Sequence, residues 1–145
     1  MREILFKAKR IDNDEWIEGN VIYDRVTGQC FMHRNGNGIN ESHKVNEEEC
    51  FRFFAYKIDP KTVCQYIGLR DKCARKIYEN DFIKRQINDD DEIIGVFTWK
   101  NIGQTGFSLM VGVGDLYHYY PISCGEWDDD EGEVCRDIIL GNIFD

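Results

Sequence analysis

The chain has 145 residues, of which 42% are hydrophobic and 13% aromatic, and its formal net charge is −9. This apolar content is enough to build a packed core, in one domain or two small ones, and it excludes a fully disordered chain. The acidity argues against simple nucleic-acid binding, because that function needs Lys and Arg to replace counterions.

Targeting and redox signals are few. Met1-Arg2-Glu3 leads directly into a charged, alternating segment, and the least polar run, residues 107–114, is too short to span a bilayer. We therefore expect a cytoplasmic protein without membrane contact. None of the six cysteines belongs to a C-x-x-C pair, so the spacing predicts no zinc site, and we expect reduced, mostly packed thiols.

Period-two alternation dominates the first third of the chain. In "EILFKAK", Ile4, Phe6 and Ala8 alternate with other side chains, which predicts a strand with these three residues on its buried face. The Asp- and Asn-rich "RIDND" predicts a turn, and "EWIEGNVIYD" predicts the second strand of a hairpin. "QCFMHR" predicts a third, shorter strand, and the Asn-Gly repeats of "NGNGINES" predict a loop.

The middle of the chain contains one ambiguous segment. In "KVNEEECFRFF", residues 46–49 fit either a single helical turn capped by Asn46 or a bulged start of the strand "FRFFAYKI". Asp59-Pro60 then predicts the start of a turn, because proline presets φ at the second turn position.

The second half repeats the pattern of short strands between turn signals. The predicted strands are "TVCQYIGL", "DFIKRQI", "IIGVFTWKN", "FSLMVGV", "LYHYYPI" and a final one in "VCRDIILGNIF". The acidic stretches "NDDDE" and "GEWDDDEGE" predict solvated loops, since consecutive acids do not match a calcium loop. Because no long helix is indicated, the chain is predicted to be all-β, as a sandwich or small barrels.

Three stretches carry a family resemblance. "IDPKTVCQYIGLRDK", "KIYENDFI" and the terminal "ILGNIFD" resemble the YopX family of bacteriophage and prophage proteins, whose pattern reads V-D-P-x-T-x-x-Q-Y-T-G-L-x-D-K-x-G-x-x-I-Y-E-G-D-I-V. "ILFKAK" and "EWIEGNV" are similar to the family's opening strands. The resemblance touches both ends and the middle, so we expect it to cover the whole chain.

The resemblance implies a fold and a phage setting, and it implies no reaction. The implied architecture is an N-terminal β-sheet region, residues 1–60, packed on a C-terminal SH3-type small barrel, residues 61–145, with the central motif as the joint. The motif residues are interpreted as structural turn residues: Gly68, Asp71, Tyr78, Glu79, Asn80, Asp81, Gly141 and Asn142.

The chain departs from the family pattern at three places. Ile67 replaces Thr, Cys73-Ala74 replaces Asn-Gly, and Asn80 replaces Gly. The Asn80 change is mild, because Asn tolerates the left-handed region. Alanine resists positive φ, so we predict an ordinary type I turn or a longer loop at Cys73-Ala74, rather than a primed turn with positive φ at both residues.

The acids of the motif have two interpretations. Asp71, Glu79 and Asp81 lie near two adjacent turns, so they could form a carboxylate cluster for metal or acid–base chemistry. The alternative, which we favour, is that each accepts hydrogen bonds from nearby backbone N–H groups. With no nucleophile elbow, phosphate loop or dinucleotide fingerprint in the chain, we expect neither an enzyme nor a bound cofactor.

A binding surface is suggested by aromatic and basic residues. In "LYHYYPI", period two places Tyr117 and Tyr119 together on one face, where they fit either a binding surface or a doubly covered strand. Arg70, Lys72 and Lys76 are added as surface cations. A nucleic-acid site would require convergence of a larger basic set beside aromatics: Arg70, Lys72, Arg75, Lys76, Lys84 and Arg85.

We therefore expect a non-catalytic interaction module that binds a host or phage protein or assembles with itself. Exposed strand edges and aromatic surface would supply the contacts. The alternatives are a nucleic-acid-binding module that uses a basic face of the barrel, and an acidic mimic of nucleic acid.

Overall fold

A computed structural model describes residues 4–33, 41–45, 48–52, 55–88, 90–102, 104–113, 116–120, 126–128, 132–134 and 137–145. These residues form antiparallel strands and one short 3₁₀ helix, Pro60–Thr62, so the all-β prediction is confirmed. The chain divides into two compact units, Ile4–Gln65 and Tyr66–Asp145. Among the described residues, no helix has the length and apolar character needed to cross a bilayer.

The N-terminal unit is built from short antiparallel strands. They are β1 Phe6–Lys9, β2 Trp16–Tyr23, β3 Cys30–His33, β4 Glu41–Val45, β5 Glu48–Arg52, β6 Ala55–Lys57 and β7 Cys64–Arg70. The sheet has the order β6-β3-β2-β1-β7, and a separate hairpin pairs β4 with β5. β7 joins this sheet through Cys64 and Gln65, and its later residues belong to the second unit.

The core of this unit follows the alternation seen in the sequence. Ala8, Ile17, Met32 and Ile58 are buried together, and Phe6 and other partly buried side chains pack against them. The prediction for the first strand is wrong at its start. Ile4 is exposed and Leu5 is buried, because both precede β1 and so escape its alternation.

The segments "NGNGINES" and "KVNEEECFRFF" are described in part. Glu48 and Glu49 belong to β5, so the strand interpretation holds there and the helical turn does not. The predicted loop "NGNGINES" lies outside the described residues, apart from its last two positions in β4. Asp59 caps the 3₁₀ helix, with its side chain accepting a hydrogen bond from the Lys61 N–H at 3.0 Å.

The C-terminal unit is also built from antiparallel strands. They are β8 Lys76–Tyr78, β9 Asp81–Gln86, β10 Glu92–Ile102, β11 Gln104–Val113, β12 Leu116–Tyr120, β13 Glu126–Asp128, β14 Gly132–Val134 and β15 Ile138–Asn142. The unit contains the β7–β8 hairpin, a sheet in the order β12-β11-β10-β9-β15 and a separate β13–β14 hairpin. No pairing closes the sheet among the described residues, so the implied closed barrel is not observed.

One face of the five-stranded sheet packs against the hairpin. Ile67 of β7 and Ile77 of β8 join a buried cluster with Ile83, Phe97, Leu109 and Val111 of the sheet. β10 and β11 approach so closely that a Cβ on Gly95 would lie 2.6 Å from the Met110 carbonyl oxygen. At the edge strand β15, the register with β9 shifts between Ile139 and Gly141, which leaves Leu140 as a bulge.

Candidate functional site

The first corner of the family motif is organised by the Asp71 carboxylate, which is buried. Its Oδ1 accepts hydrogen bonds from the Cys73 and Arg75 N–H groups, each at 2.9 Å, and its Oδ2 accepts one from Arg75 Nε at 2.8 Å. Burial raises the pKa of the Asp71 carboxyl, but the hydrogen bonds from the Arg75 side chain and from the Arg75, Ile139 and Cys73 N–H groups outweigh it and hold that pKa below its ordinary value.

The prediction for the turn after Asp71 holds in part, because positive φ is absent at Cys73 but present at Ala74. The Asp71 carbonyl accepts a hydrogen bond from the Ala74 N–H at 2.8 Å, and the Asp71 N–H donates to the Arg75 carbonyl at 2.8 Å. Ala74 has a φ of 62°, whereas Cys73 does not have positive φ, so a primed turn is not formed. Alanine thus occupies the left-handed position where the family pattern places glycine.

The second corner is organised by Asp81, which is fully buried. Its Oδ2 accepts a hydrogen bond from the Tyr78 N–H at 2.8 Å, and its Oδ1 accepts one from Asn142 Nδ2 at 2.8 Å. Asn80 has a φ of 67°, as its replacement of glycine leads us to expect. The corner therefore ties the central motif to the terminal "ILGNIFD" stretch.

A buried ion pair lies in the same unit. Arg85 Nε and Nη2 donate to the two carboxylate oxygens of Asp137, each at 2.9 Å, and the guanidinium carbon lies 5.8 Å from the centre of the Phe97 ring. Arg85 belongs to the basic set whose convergence a nucleic-acid site would require, yet it is buried. The alternation of β9 already contained the signal for this burial, since Arg85 shares a face with Ile83.

The motif acids do not form a metal-binding cluster among the residues that the structure describes, which contain no group of three His, Cys, Asp or Glu side chains suited to a metal ion. Asp71 and Asp81 each accept hydrogen bonds from their own turn, and Glu79 is half-buried. Arrangements of this kind stabilise turns, and they leave these carboxylate oxygens engaged with protein donors.

The six cations converge only in part. Arg70 and Lys76 are opposite each other in the β7–β8 hairpin, and Lys72 and Arg75 lie in its turn. Arg70 donates to the Ala74 carbonyl, Arg75 pairs with Asp71, and Lys76 Nζ lies 6.0 Å from the Tyr66 ring centre. The other two are on the sheet, where Arg85 is buried against Asp137 and Lys84 pairs with Glu92. The full basic set that a nucleic-acid face would require is therefore not brought together.

An apolar surface does occur on the five-stranded sheet. We call the face opposite its core the outer face. Phe82 is 38% exposed and Ile94 is 53% exposed on it. Val96 lies between Phe82 and Met110 in the register, so one apolar row crosses three strands. The side chains described on the central strands of this face are Phe82, Lys84, Gln86, Glu92, Ile94, Val96, Thr98, Ser108 and Met110.

The predicted aromatic surface falls on the same sheet. Tyr119 is at the register position opposite Met110, and Tyr117 is opposite Gly112, so the period-two row containing Val96 continues onto β12. The side chains of the two tyrosines lie outside the described part of the structure.

The outer face has a signal in the sequence of β10. The run "EIIGVF" of β10 is nearly continuous in apolar residues, and such runs are typical of strands that are covered on both faces. One of those faces is the core. The other is exposed in this chain at Ile94.

Comparison with protein families identifies one family for the chain. The family described as YopX protein matches residues 6–145. The chain belongs to the YopX family. This match spans both corners of the motif and the strands that form the outer face. Comparison with curated proteins and with solved structures gave no match.

Proposed function

We propose that this YopX family chain is a non-catalytic interaction module that binds a protein through the outer face of its C-terminal sheet. The single observation that carries the proposal is the row Phe82–Val96–Met110, together with the neighbouring Ile94, on a face where Phe82 and Ile94 are exposed. Contiguous apolar surface of this kind marks contact sites in soluble proteins.

The gain from covering this face is substantial. Burial of apolar surface contributes about 25 cal/mol per Å² removed from water, so full burial of a side chain such as Phe82 or Ile94 contributes roughly 1.5–3 kcal/mol. Both residues are partly exposed, so a fraction of that remains to be gained on binding. Two anchors beside each other are the usual centre of an interface.

The motif residues support a binding role over a catalytic one. Asp71, Asp81 and Arg85 are the polar groups that a cleft would use for chemistry, and each is buried and engaged with protein partners. Nucleic-acid binding through the six cations has less support, because Arg75 and Arg85 are already paired with Asp71 and Asp137.

The setting of this role is part of the proposal. We take the partner to be a host or phage protein or a second copy of the chain, in the bacterial cytoplasm during phage or prophage expression. The SH3-type barrel implied by the resemblance also stays a proposal. It is supported by the packing of Ile67 and Ile77 from the β7–β8 hairpin against the sheet.

The test compares two isoleucines of similar exposure, Ile94 at 53% and Ile11 at 56%. Ile94→Ser removes apolar surface from the outer face, and Ile11→Ser does so in the N-terminal unit, where Ile11 is 56% exposed. Wild-type protein is expected to form a stable complex, with host or phage protein or with itself, that sedimentation detects. Ile94→Ser should weaken that complex about tenfold, and Ile11→Ser should not. Equal binding by both variants would rule out the outer face.

A further inference from the structure

The acidity of the chain is concentrated in the unit that carries the outer face. Residues 66–145 contain eight Lys and Arg against 16 Asp and Glu, whereas residues 4–65 contain nine against ten. The C-terminal unit thus has a formal charge of −8 and the N-terminal unit −1. A surface on the C-terminal unit is therefore approached through a negative field.

Part of this charge borders the outer face directly. The β9–β10 connection presents Asp90 and Asp91 as exposed residues next to Glu92. Their geometry is set by the Asn88 side chain, which accepts hydrogen bonds from the Asp90 N–H at 3.0 Å and the Asp91 N–H at 2.8 Å. Asp90 and Asp91 therefore lie at the end of the strands that carry Phe82 and Ile94.

Among the side chains described on this face, the charges of Lys84 and Glu92 offset each other. Lys84 is the cation among its described side chains, and its Nζ lies 2.6 Å from Glu92 Oε2. This pairing leaves the apolar row without a net charge of its own. The combination is an apolar centre with an acidic border.

We propose that the occupant of the outer face is a protein with an apolar patch bordered by Lys and Arg. The inference rests on the proposed function, and it adds the chemistry of the partner. Complementary charge at an interface rim accelerates association and selects the partner, while the apolar centre supplies affinity. A second copy fits less well, because two units with the same excess of negative charge repel each other.

The probe is a synthetic amphipathic helical peptide of Leu and Lys, compared with a twin of Leu and Glu. Titration calorimetry with the full chain should detect the Leu/Lys peptide and at least about tenfold weaker binding of its twin. Raising the salt from about 50 to about 300 mM should weaken the Leu/Lys complex, since rim charges are screened.

Two pairs of variants separate the contributions of the face and of its border. Ile94→Ser should weaken peptide binding about tenfold, and Ile11→Ser should change it less than about twofold. Asp90→Asn should weaken it about two- to threefold at low salt and less at high salt. The matched control is Asp14→Asn, because Asp14 is also exposed and Asn tolerates its φ of 61°.

The outcomes distinguish this inference from the proposed function. If Ile94→Ser binds the peptide as wild type does, the attraction is charge alone and the inference is overturned. A different outcome is that the wild type does not bind the peptide but forms a dimer, and that Ile94→Ser dissociates this dimer. The outer face then joins copies of the chain. In that case the inference of a Lys- and Arg-bordered partner is wrong, and the proposed function stands. If the wild type neither binds the peptide nor assembles with any protein, both are wrong.

Discussion

Ala74 is a residue whose conformation conflicts with its side chain. Its φ of 62° costs a residue with a Cβ about 1 kcal/mol, which glycine does not incur. We therefore expect Ala74→Gly to raise the free energy of unfolding by about 0.5–1 kcal/mol, measured by urea denaturation. Lys72→Gly is the control in the same turn. It should lower stability by a similar amount, because Lys72 does not have positive φ. A less stable Ala74→Gly would contradict the turn geometry.

Asp71 contributes stability that depends on pH. Its pKa is lower in the folded chain than in the unfolded one, since the hydrogen bonds from Arg75, Ile139 and Cys73 outweigh its burial. The contribution is therefore fully present above the unfolded pKa of about 4 and is lost as pH falls through the lower, folded pKa. We expect wild-type chain to lose more stability than Asp71→Asn between about pH 5 and pH 2. The free energy of unfolding is measured by denaturant titration across this pH range. If it falls equally for wild type and Asp71→Asn, the pH-dependent contribution of Asp71 is disproved.

At the scale of elements, strands β9 and β15 are joined by the buried Arg85–Asp137 pair as well as by their ladder. Removal of one partner leaves a buried charge, so Asp137→Ala should cost about 3–5 kcal/mol of unfolding free energy. The double change Arg85→Met with Asp137→Leu should recover most of that loss.

The exposed pair Lys84–Glu92 of the same sheet provides the control. Glu92→Gln should cost less than about 1 kcal/mol, because exposed ion pairs contribute little. Chemical denaturation of these variants measures all three values. If the double variant is as unstable as Asp137→Ala, the loss in Asp137→Ala does not come from an unpaired buried charge, and the prediction is wrong.

Period-two alternation of apolar residues predicted most of the strands, and it missed a hairpin made of residues with low strand preference. "WIEGNVIY" became β2 with Ile17 buried and Glu18 exposed, as period two requires. "GEWDDDEGE" was predicted to be a loop, yet it contributes β13 and most of β14, paired between Trp127 and Glu133. Asp and Glu are poor strand formers, so local preference gave no sign of this hairpin.

At the scale of the molecule, each unit has its own core, and the two clusters share no member. Met32→Ala and Phe97→Ala should each cost about 2–5 kcal/mol, as large buried side chains do. Because independent sites add, we expect the double variant to lose the sum within about 0.5 kcal/mol, or to show two separate transitions. The measurement is denaturant unfolding followed by circular dichroism. A double variant that departs from the sum by well over 1 kcal/mol would reveal coupling between the cores.

The candidate site was predictable in its turns and unpredictable in its long-range contacts. Turn chemistry places the Asp71 and Asp81 carboxylates on nearby N–H groups, and the structure has those bonds. The bonds from Arg85 to Asp137 and from Asn142 to Asp81 join residues 52 and 61 positions apart. Such pairs depend on strand order and register, which one sequence does not encode in any local pattern.

The bulge at Leu140 has a consequence for the solution behaviour of the chain. β15 ends the strand order of the described sheet, and open edges of this kind recruit strands from other molecules into open-ended aggregates. Part of this edge is occupied, because the Ile139 N–H donates to Asp71 Oδ2 at 3.4 Å and the Ile139 carbonyl accepts from Arg75 Nη2 at 2.9 Å. The extra residue bends the strand and interrupts its regular spacing of backbone donors and acceptors. Growth by strand addition is therefore discouraged at this end, which favours defined complexes formed through side chains over fibrous ones.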